Sequence, residues 1–244
     1  MAFGRYQVRS GIVINSRRLA EGGRLVTVYG PEGKTNAIAR PARKVSGARL
    51  ELFSQVELQL YRRRAGDLAS VTQGVALEQH PRLAEPARYA LGNLLCELID
   101  HLAQEEDPHP ATYRVFQSGL KGVERHSDPE KVALITVVKL LGEAGLAPRL
   151  GRCVSCGQIP VVGFSAAAGG ATCASCPGEP YSPRALVELA ALQRATFRRG
   201  LELPLARRPE LWSMLAAHLD YHVARLHSLG WVRETLEPPA GRAS

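Results

Sequence analysis

The sequence predicts a multidomain α+β protein, in which a small N-terminal β-barrel precedes an α-helical domain with a cysteine-rich insertion. Residues 1–80 contain short apolar runs separated by glycine and proline turn signals, whereas apolar residues at three-to-four spacing dominate residues 81–244. Two Cys-x2-Cys pairs fall within residues 151–180. Because the periodicity changes from strands to helices near residue 80, we expect the domain boundary there.

The first eighty residues contain runs typical of strands, which start near Val8, Arg24, Lys34, Leu50 and Leu68. From Leu50 onwards, apolar residues alternate with polar ones, which places one face of that strand in a core and the other in water. Five strands joined by tight turns indicate a small closed barrel. The OB-fold is the common five-stranded solution, and an SH3-like barrel is the nearest competitor.

The positive charge of the chain is concentrated in this barrel. The formal net charge is +8, and residues 1–80, with 13 basic and 6 acidic residues, carry a net +7. Such a field favours a polyanion: nucleic acid, an anionic membrane or an acidic protein. A basic surface that only keeps the protein dissolved is the alternative. The candidate DNA-binding residues of the barrel are Arg17, Arg18, Lys34, Arg40, Arg43, Lys44, Arg62, Arg63 and Arg64.

Aromatic side chains accompany these cations. OB-folds bind single strands through a cationic groove that follows the phosphates and through aromatic rings that stack on bases. Four rings are available for stacking: Tyr6, Tyr29, Phe53 and Tyr61. Phe53 and Tyr61 could equally cover the outer side of the barrel against the next domain. Arg198 and Arg199 extend the candidate DNA-binding residues onto the helical domain, where solvated charge is the alternative.

The second part of the chain predicts helices at about 84–105, 111–126, 183–195 and 209–228, with another that starts at Asp128-Pro129. The sequence contains no run of 18 apolar residues, so we expect no membrane-spanning helix. The N-terminus lacks the apolar core of a signal peptide. We therefore expect a cytoplasmic protein. In that reducing compartment, paired cysteines favour metal binding or redox chemistry over structural disulfides.

Cys153-x2-Cys156 and Cys173-x2-Cys176, separated by sixteen residues, form the most specific motif. Their number and spacing match a structural zinc site, and we expect one zinc ion per chain. Four thiolates complete a tetrahedron and leave no position for a reactive water. Two redox pairs or an iron–sulfur cluster are the alternatives. The zero net charge of residues 151–180 favours a brace for the helices over a contact with nucleic acid.

No motif in the chain predicts catalysis. A nucleophile elbow, a dinucleotide fingerprint and a pair of catalytic carboxylates are all missing from the sequence, so we expect no enzymatic activity. His218 and His222 are one helical turn apart, but no third ligand accompanies them, and surface or core histidines are the better interpretation.

Three stretches of the sequence resemble the RecO family of bacterial DNA-repair mediators. The first is 11–21 followed by 23–29, the second runs through Gly33-Lys34 to the basic residues 42–46, and the third is 146–176, which contains both cysteine pairs. They span most of the chain in the order expected for the family, and the third is specific.

The resemblance implies an N-terminal OB-fold, a helical body and a zinc ribbon. It also implies binding of single- and double-stranded DNA and annealing of complementary strands. With the partner RecR, family members help to load RecA onto DNA coated by single-strand-binding protein, which places the protein at the nucleoid. Two other classes remain open: a zinc-containing interaction adaptor whose basic face receives an acidic partner, and a zinc-dependent nucleic-acid enzyme.

Overall fold

A computed structural model describes residues 5–20, 22–40, 50–64 and 66–236 of the chain. Its first part is a five-stranded barrel. The strands are β1 (Arg5–Arg18), β2 (Arg24–Gly30), β3 (Gly33–Ala39), β4 (Gln55–Arg62) and β5 (Ala69–Glu78). Their order around the ring, β1-β2-β3-β5-β4, agrees with the OB-fold that the sequence predicts.

Strand β1 pairs with two neighbouring strands, one along each half of its length. Its first half, from Arg5 to Ile12, is antiparallel to β4, and its second half, from Ile12 to Arg18, is antiparallel to β2. A short parallel ladder between β3 and β5, which includes Ala37 opposite Ala69, completes the ring. Because β1 spans both neighbours, its C-terminal end lies beside the start of β2.

The interior of the barrel is filled by aliphatic side chains. Val56, Leu58 and Leu60 of β4 are buried while Glu57 is exposed, which confirms the alternation predicted for this strand. The strand itself starts later than predicted, because the chain turns at Phe53, whose φ of 72° is left-handed. The buried core of the barrel consists of Val13, Val26, Val28, Ala37, Ala39, Leu50, Val56, Leu58, Leu60, Ala69 and Val71.

Seven α-helices within the described residues build the second part. They are α1 (Pro86–Leu102), α2 (Pro110–Arg125), α3 (Pro129–Glu143), α4 (Pro183–Arg194), α5 (Phe197–Glu202), α6 (Arg208–His222) and α7 (Ser228–Leu236). Proline at the first turn starts several of them, because its fixed φ suits a helix and its missing N–H costs nothing there. None of the helices in the described ranges is both long and apolar enough to cross a membrane.

The helix predicted for residues 209–228 is two helices in the structure. Helix α6 ends at His222, and α7 starts at Ser228, where the Glu97 carboxylate accepts hydrogen bonds from the backbone N–H groups of His227 and Ser228, both at 2.9 Å. A side chain 131 residues away thus caps the start of α7, and no local sequence pattern could reveal it.

A second hydrophobic core, separate from that of the barrel interior, joins the barrel to the helices. Tyr29 of β2 packs edge-on against Tyr113 and Phe116 of α2, each with a ring-centroid distance of 5.9 Å. Phe53 packs against Tyr89 of α1 in the same way. One face of the barrel is therefore covered by the helical body.

Candidate functional site

The four predicted metal ligands come together in a small ribbon. The ribbon contains the strands β6 (Gly163–Ser165), β7 (Gly170–Thr172) and β8 (Glu179–Pro180), in the order β7-β6-β8. The sulfur atoms of Cys153, Cys156, Cys173 and Cys176 all lie within 4.8 Å of one another. The ribbon therefore presents four thiols to a single point in space.

The sulfur separations fit a metal better than a disulfide. Cys156 Sγ lies 3.6 Å from Cys173 Sγ, well beyond the roughly 2.05 Å of an S–S bond. A tetrahedral ion with metal–sulfur bonds of about 2.3 Å requires sulfur atoms about 3.8 Å apart. An all-thiolate donor set of this size suits zinc or an iron–sulfur cluster. The residues present thus fit the predicted metal.

Tight backbone turns position the two cysteine pairs. In the first pair, Cys153 accepts a hydrogen bond from the Gly157 N–H at 2.9 Å and donates its own N–H to the Gln158 carbonyl at 3.0 Å. Gly157 has a φ of 76°, which glycine adopts without strain. In the second pair, the Cys176 N–H donates to the Cys173 carbonyl at 3.2 Å. Both turns direct their thiols inwards.

The thiols of Cys153 and Cys176 differ in how easily they ionise. Hydrogen bonds from the backbone N–H groups of Cys156 and Cys173 lower the pKa of the Cys153 thiol to about 6. Contacts with the thiols of Cys156, Cys153 and Cys173 raise the pKa of Cys176 to about 12. The site can therefore begin to bind a cation through the Cys153 thiolate, and a bound cation would stabilise the remaining thiolates.

Main-chain and side-chain contacts attach the ribbon to the helical body. The Arg149 N–H donates to the Gly169 carbonyl at 3.0 Å, and the Ala171 N–H donates to the Arg149 carbonyl at 2.8 Å. The hydroxyls of Tyr181 and Ser213 lie 3.0 Å apart. These contacts agree with the expectation that the ribbon braces the helices.

His218 binds the segment that leads into the ribbon, and His222 binds the ribbon itself. Nε2 of His218 lies 2.7 Å from the Leu146 carbonyl oxygen, and Nε2 of His222 lies 2.7 Å from the Ala166 carbonyl oxygen. A carbonyl only accepts, so each Nε2 carries the proton. Burial lowers the pKa of His218, which keeps it neutral. In the part of the chain that the structure describes, the four cysteines are the one group of three or more candidate metal ligands.

The register of β1, β2 and β3 places arginines of β1 and β2, and the arginine that follows β3, at one rim of the barrel. Arg18, the last residue of β1, lies opposite Arg24, the first residue of β2. Arg24 in turn lies opposite Ala39, the last residue of β3, and Arg40 follows directly. Arg24 was not among the residues that the sequence singled out. Correct pairing of the β1–β2 hairpin would have revealed it.

The remaining two strands bring further arginines to the same rim. Ser70, near the start of β5, lies opposite Ile38 of β3 and opposite Tyr61 of β4. The chain leaves β4 one residue later and continues through Arg63 and Arg64, both exposed. We define the basic rim as Arg17, Arg18, Arg24, Arg40, Arg63 and Arg64.

The charges of the basic rim are available to a ligand. All of its members except the half-buried Arg24 are exposed. Arg24 donates through Nε to the Ser16 hydroxyl at 2.9 Å, and the ion pairs found between described residues include no member of the rim. Unpaired guanidinium groups that converge at strand ends can bind the phosphates of a polyanion in bidentate fashion.

Two predicted DNA-binding residues of the barrel are instead paired with carboxylates. Lys34 Nζ lies 3.0 Å from Asp100 Oδ1, with 16% of its side chain exposed. Arg62 Nη1 lies 2.6 Å from Glu106 Oε1, with 19% of its side chain exposed. Lys34 and Arg62 are thus neutralised and largely buried, and neither belongs to the basic rim, although Arg62 directly precedes Arg63.

An acidic strap, which we define as residues 104–107, supplies the partner of Arg62 and also contacts the backbone of Lys34. It runs beside β3, where the Lys34 N–H donates to the Gln104 carbonyl at 3.2 Å and the Glu106 N–H donates to the Lys34 carbonyl at 3.0 Å. The Asn36 amide also donates to the Glu105 carboxylate. The strap thereby pairs backbone groups of β3 at a position where β3 does not pair with β5.

The other candidate DNA-binding residues lie in different places. Arg43 and Lys44 are outside the described residues, in the segment that follows Arg40. Arg198 and Arg199 lie on α5 and are exposed, and Arg199 Nη1 pairs with Glu202 at 2.5 Å. The helical candidates thus lie on a surface helix, separate in sequence from the rim.

The four candidate stacking rings divide into two groups. Tyr29 and Phe53 are 1% and 5% exposed, within the core that the barrel shares with the helices. Tyr6 is 65% exposed, and its ring packs on that of Tyr61 with a centroid distance of 5.1 Å. Only the second pair can reach a ligand without unfolding the core.

These features define a class of protein: an OB-type barrel with a basic rim, joined to a helical body that carries a four-cysteine cluster. The family models for the N-terminal and C-terminal parts of Recombination protein O match residues 5–80 and 83–229. The DNA repair protein RecO of Bifidobacterium longum, in strains DJO10A and NCC 2705, is 33% identical over 169 residues, which are 67% of this chain and 71% of the relative. The chain belongs to the RecO family.

Proposed function

We propose that this chain is a DNA-binding recombination mediator in DNA repair. It binds single- and double-stranded DNA, anneals complementary strands and, with RecR, helps to load RecA onto DNA coated by single-strand-binding protein at the cytoplasmic nucleoid. Membership of the RecO family and the name of the relatives support this proposal. The structural observation that carries it is the basic rim, whose arginines take part in none of the ion pairs between described residues.

The basic rim acts by neutralising phosphate charge. Each phosphate that binds a guanidinium releases condensed counterions, so binding is favourable and falls as salt rises. Contacts to phosphates carry little sequence preference, which suits a protein that acts on any DNA. Annealing requires two strands held together with their repulsion reduced, and it requires no covalent step. We accordingly propose that the chain is not an enzyme.

We also propose that one zinc ion is held by Cys153, Cys156, Cys173 and Cys176. When bound, zinc supplies a structural cross-link between the two ends of the ribbon. The four thiols complete the coordination shell, so the metal stabilises the fold and has no open position for a reacting water. The ribbon in turn contacts the helical body through the backbone of Arg149 and through His222.

A salt titration of DNA binding tests the proposed function. The test variant replaces four exposed rim residues by glutamine: Arg18, Arg40, Arg63 and Arg64. The control variant removes the same charge from exposed arginines of the helical body: Arg149, Arg194, Arg225 and Arg233. We expect the test variant to bind any duplex sequence more weakly and the slope of log K against log salt to fall by about 3 to 4, since each lost phosphate contact removes about 0.9.

The control should retain most of the affinity and of the slope. Equal losses in both variants would show that only net charge matters and that the rim is not the binding surface. Negligible binding of DNA by the unmodified protein at moderate salt, together with binding of an acidic protein, would favour the second candidate, an interaction adaptor that uses the rim for an acidic partner.

A further inference from the structure

The face that OB-folds use for nucleic acid, over β2 and β3, is largely covered in this chain by its own helical body. Tyr29 is buried against α2, and the acidic strap lies over Lys34 and Asn36. The Lys34 ammonium is also bound to Asp100 of α1. Base contacts on the barrel therefore need a different face.

The outer face of β1 and β4 offers two adjacent rings. Tyr6 lies directly opposite Tyr61 in the ladder, with a centroid distance of 5.1 Å and an interplanar angle of 49°. Tyr6 is 65% exposed, and the next outward residue of β1, Val8, is 56% exposed. Glu57 is the nearest carboxylate along β4 and lies four residues from Tyr61, where it accepts a hydrogen bond from Ser10. Along β1 the surface beside the rings is therefore apolar at Val8, and along β4 the Glu57 carboxylate lies two outward-facing positions away from Tyr61.

The tyrosine pair adjoins the basic rim. The next pair in the ladder is Arg5 opposite Arg62, and the exposed Arg63 and Arg64 follow along the chain. Cations for phosphates thus stand beside rings whose exposed area could receive the flat face of a base. This charge and this aromatic character match one ligand, a single strand whose bases are unstacked. A duplex keeps its bases inside the stack and offers the rings nothing to contact.

We propose that Tyr6 and Tyr61 form a base-stacking platform, which contacts the bases of single-stranded nucleic acid and makes no contact with a duplex. The proposal rests on the proposed function, because it assigns a second element to the same DNA-binding barrel. The rim neutralises the backbone of either kind of DNA, and the platform adds affinity only for the single strand. The platform therefore holds the bases of one strand outwards, where a complementary strand can find them.

Binding of the intact 244-residue chain to an oligothymidine and to a duplex of the same length tests this proposal. Tyr6→Ala should weaken single-strand binding about fivefold or more, because base–aromatic stacking contributes this much per base. Duplex affinity and both salt slopes should remain unchanged. Tyr6→Phe keeps the ring and should bind normally. Tyr221→Ala removes an equally exposed tyrosine, 62% exposed on α6, and serves as the matched control.

The outcomes separate the platform from the rim. If Tyr6→Ala leaves single-strand affinity intact while the four-arginine rim variant loses it, the platform is refuted and the proposed function stands. An equal loss on single strand and duplex would also refute it, since stacking cannot act on a closed duplex. If the unmodified protein binds neither DNA, both proposals fail. A thermal melt of Tyr6→Ala that matches the parent excludes unfolding as the cause.

Discussion

Lys34 of β3 donates through its ammonium to both acceptors of Asp100 on α1, the backbone carbonyl at 2.6 Å and the carboxylate at 3.0 Å. The pair joins the barrel to the first helix across 66 residues of sequence. Its side chains are 16% and 36% exposed, so solvent screens the interaction only in part. Lys34 is thus committed to the interface between the barrel and the helical body.

Replacement of Lys34 should therefore affect stability more than DNA binding. We expect Lys34→Met to lower the free energy of unfolding by about 1 kcal/mol, because Asp100 loses its partner in a partly buried position. Urea unfolding measures this loss. Affinity for duplex DNA should stay within about twofold of the parent, a change that the loss of one positive charge explains. A loss of DNA affinity like that of the rim variants would contradict this assignment.

Loss of a ribbon cysteine should remove the metal and loosen the fold. We expect Cys153→Ser to reduce the zinc content from one per chain to none and to lower the free energy of unfolding by several kcal/mol, since a structural metal contributes directly to folding. Elemental analysis and a thermal melt measure the two effects. Cys96→Ala is the control: Cys96 is buried on α1, outside the cluster, and this variant should keep its zinc. Full zinc content in Cys153→Ser would contradict the four-thiol site.

The start of α3 depends on a charged network with a defined response to pH. Arg208 Nη1 donates to both Asp128 and Glu130 at 2.9 Å. Partial burial alone would raise the pKa of Asp128, but the hydrogen bonds from Arg208 and from the Lys131 N–H outweigh it, and the net pKa is lowered. A carboxylate with a lowered folded pKa stabilises the fold in full above its unfolded pKa of about 4, and this stabilisation is lost as the pH falls further.

Arg208→Leu should therefore destabilise the protein by about 1–2 kcal/mol at pH 7, as two carboxylates lose a partner. The difference in urea midpoint between this variant and the parent should shrink below about pH 4. Comparison with Arg225→Leu, an exposed arginine of the helical body, controls for the loss of a charge. A difference that stays constant down to the acid transition would show that Asp128 does not act through its charge.

The contact between α2 and α3 requires a residue without a side chain. A Cβ atom at Gly119 would lie 2.9 Å from the Cβ of Thr136, and Thr136 is fixed by its hydrogen bond to the Val132 carbonyl at 2.7 Å. We expect Gly119→Ala to cost about 1–3 kcal/mol through overpacking. Gly142→Ala on α3 meets nothing within 4 Å and should instead stabilise by about 0.5–1 kcal/mol. Urea unfolding distinguishes the two; stabilisation by both would refute the close approach of the helices.

Much of the fold could be predicted because its patterns are local. The alternation through Leu58 and Leu60 predicted the buried face of β4, and the cap at Asp128 with Pro129 predicted the start of α3. The break after His222 could not be predicted, because the residue that caps α7 is Glu97, far along the chain. A cap that a distant side chain supplies does not change the apolar periodicity of the helix itself, so the local sequence does not reveal it.

The sequence by itself determined the candidate residues: the basic residues of the first third, four cysteines at ligand spacing and four aromatic rings in the barrel. Only the tertiary structure decided which of these are available. Packing buried Tyr29 and left Tyr6 at the surface, and the acidic strap neutralised Arg62 while its neighbour Arg63 stayed exposed. The physical reason is that spacing is a property of the chain, whereas burial and neutralisation depend on which distant segment folding brings against each side chain.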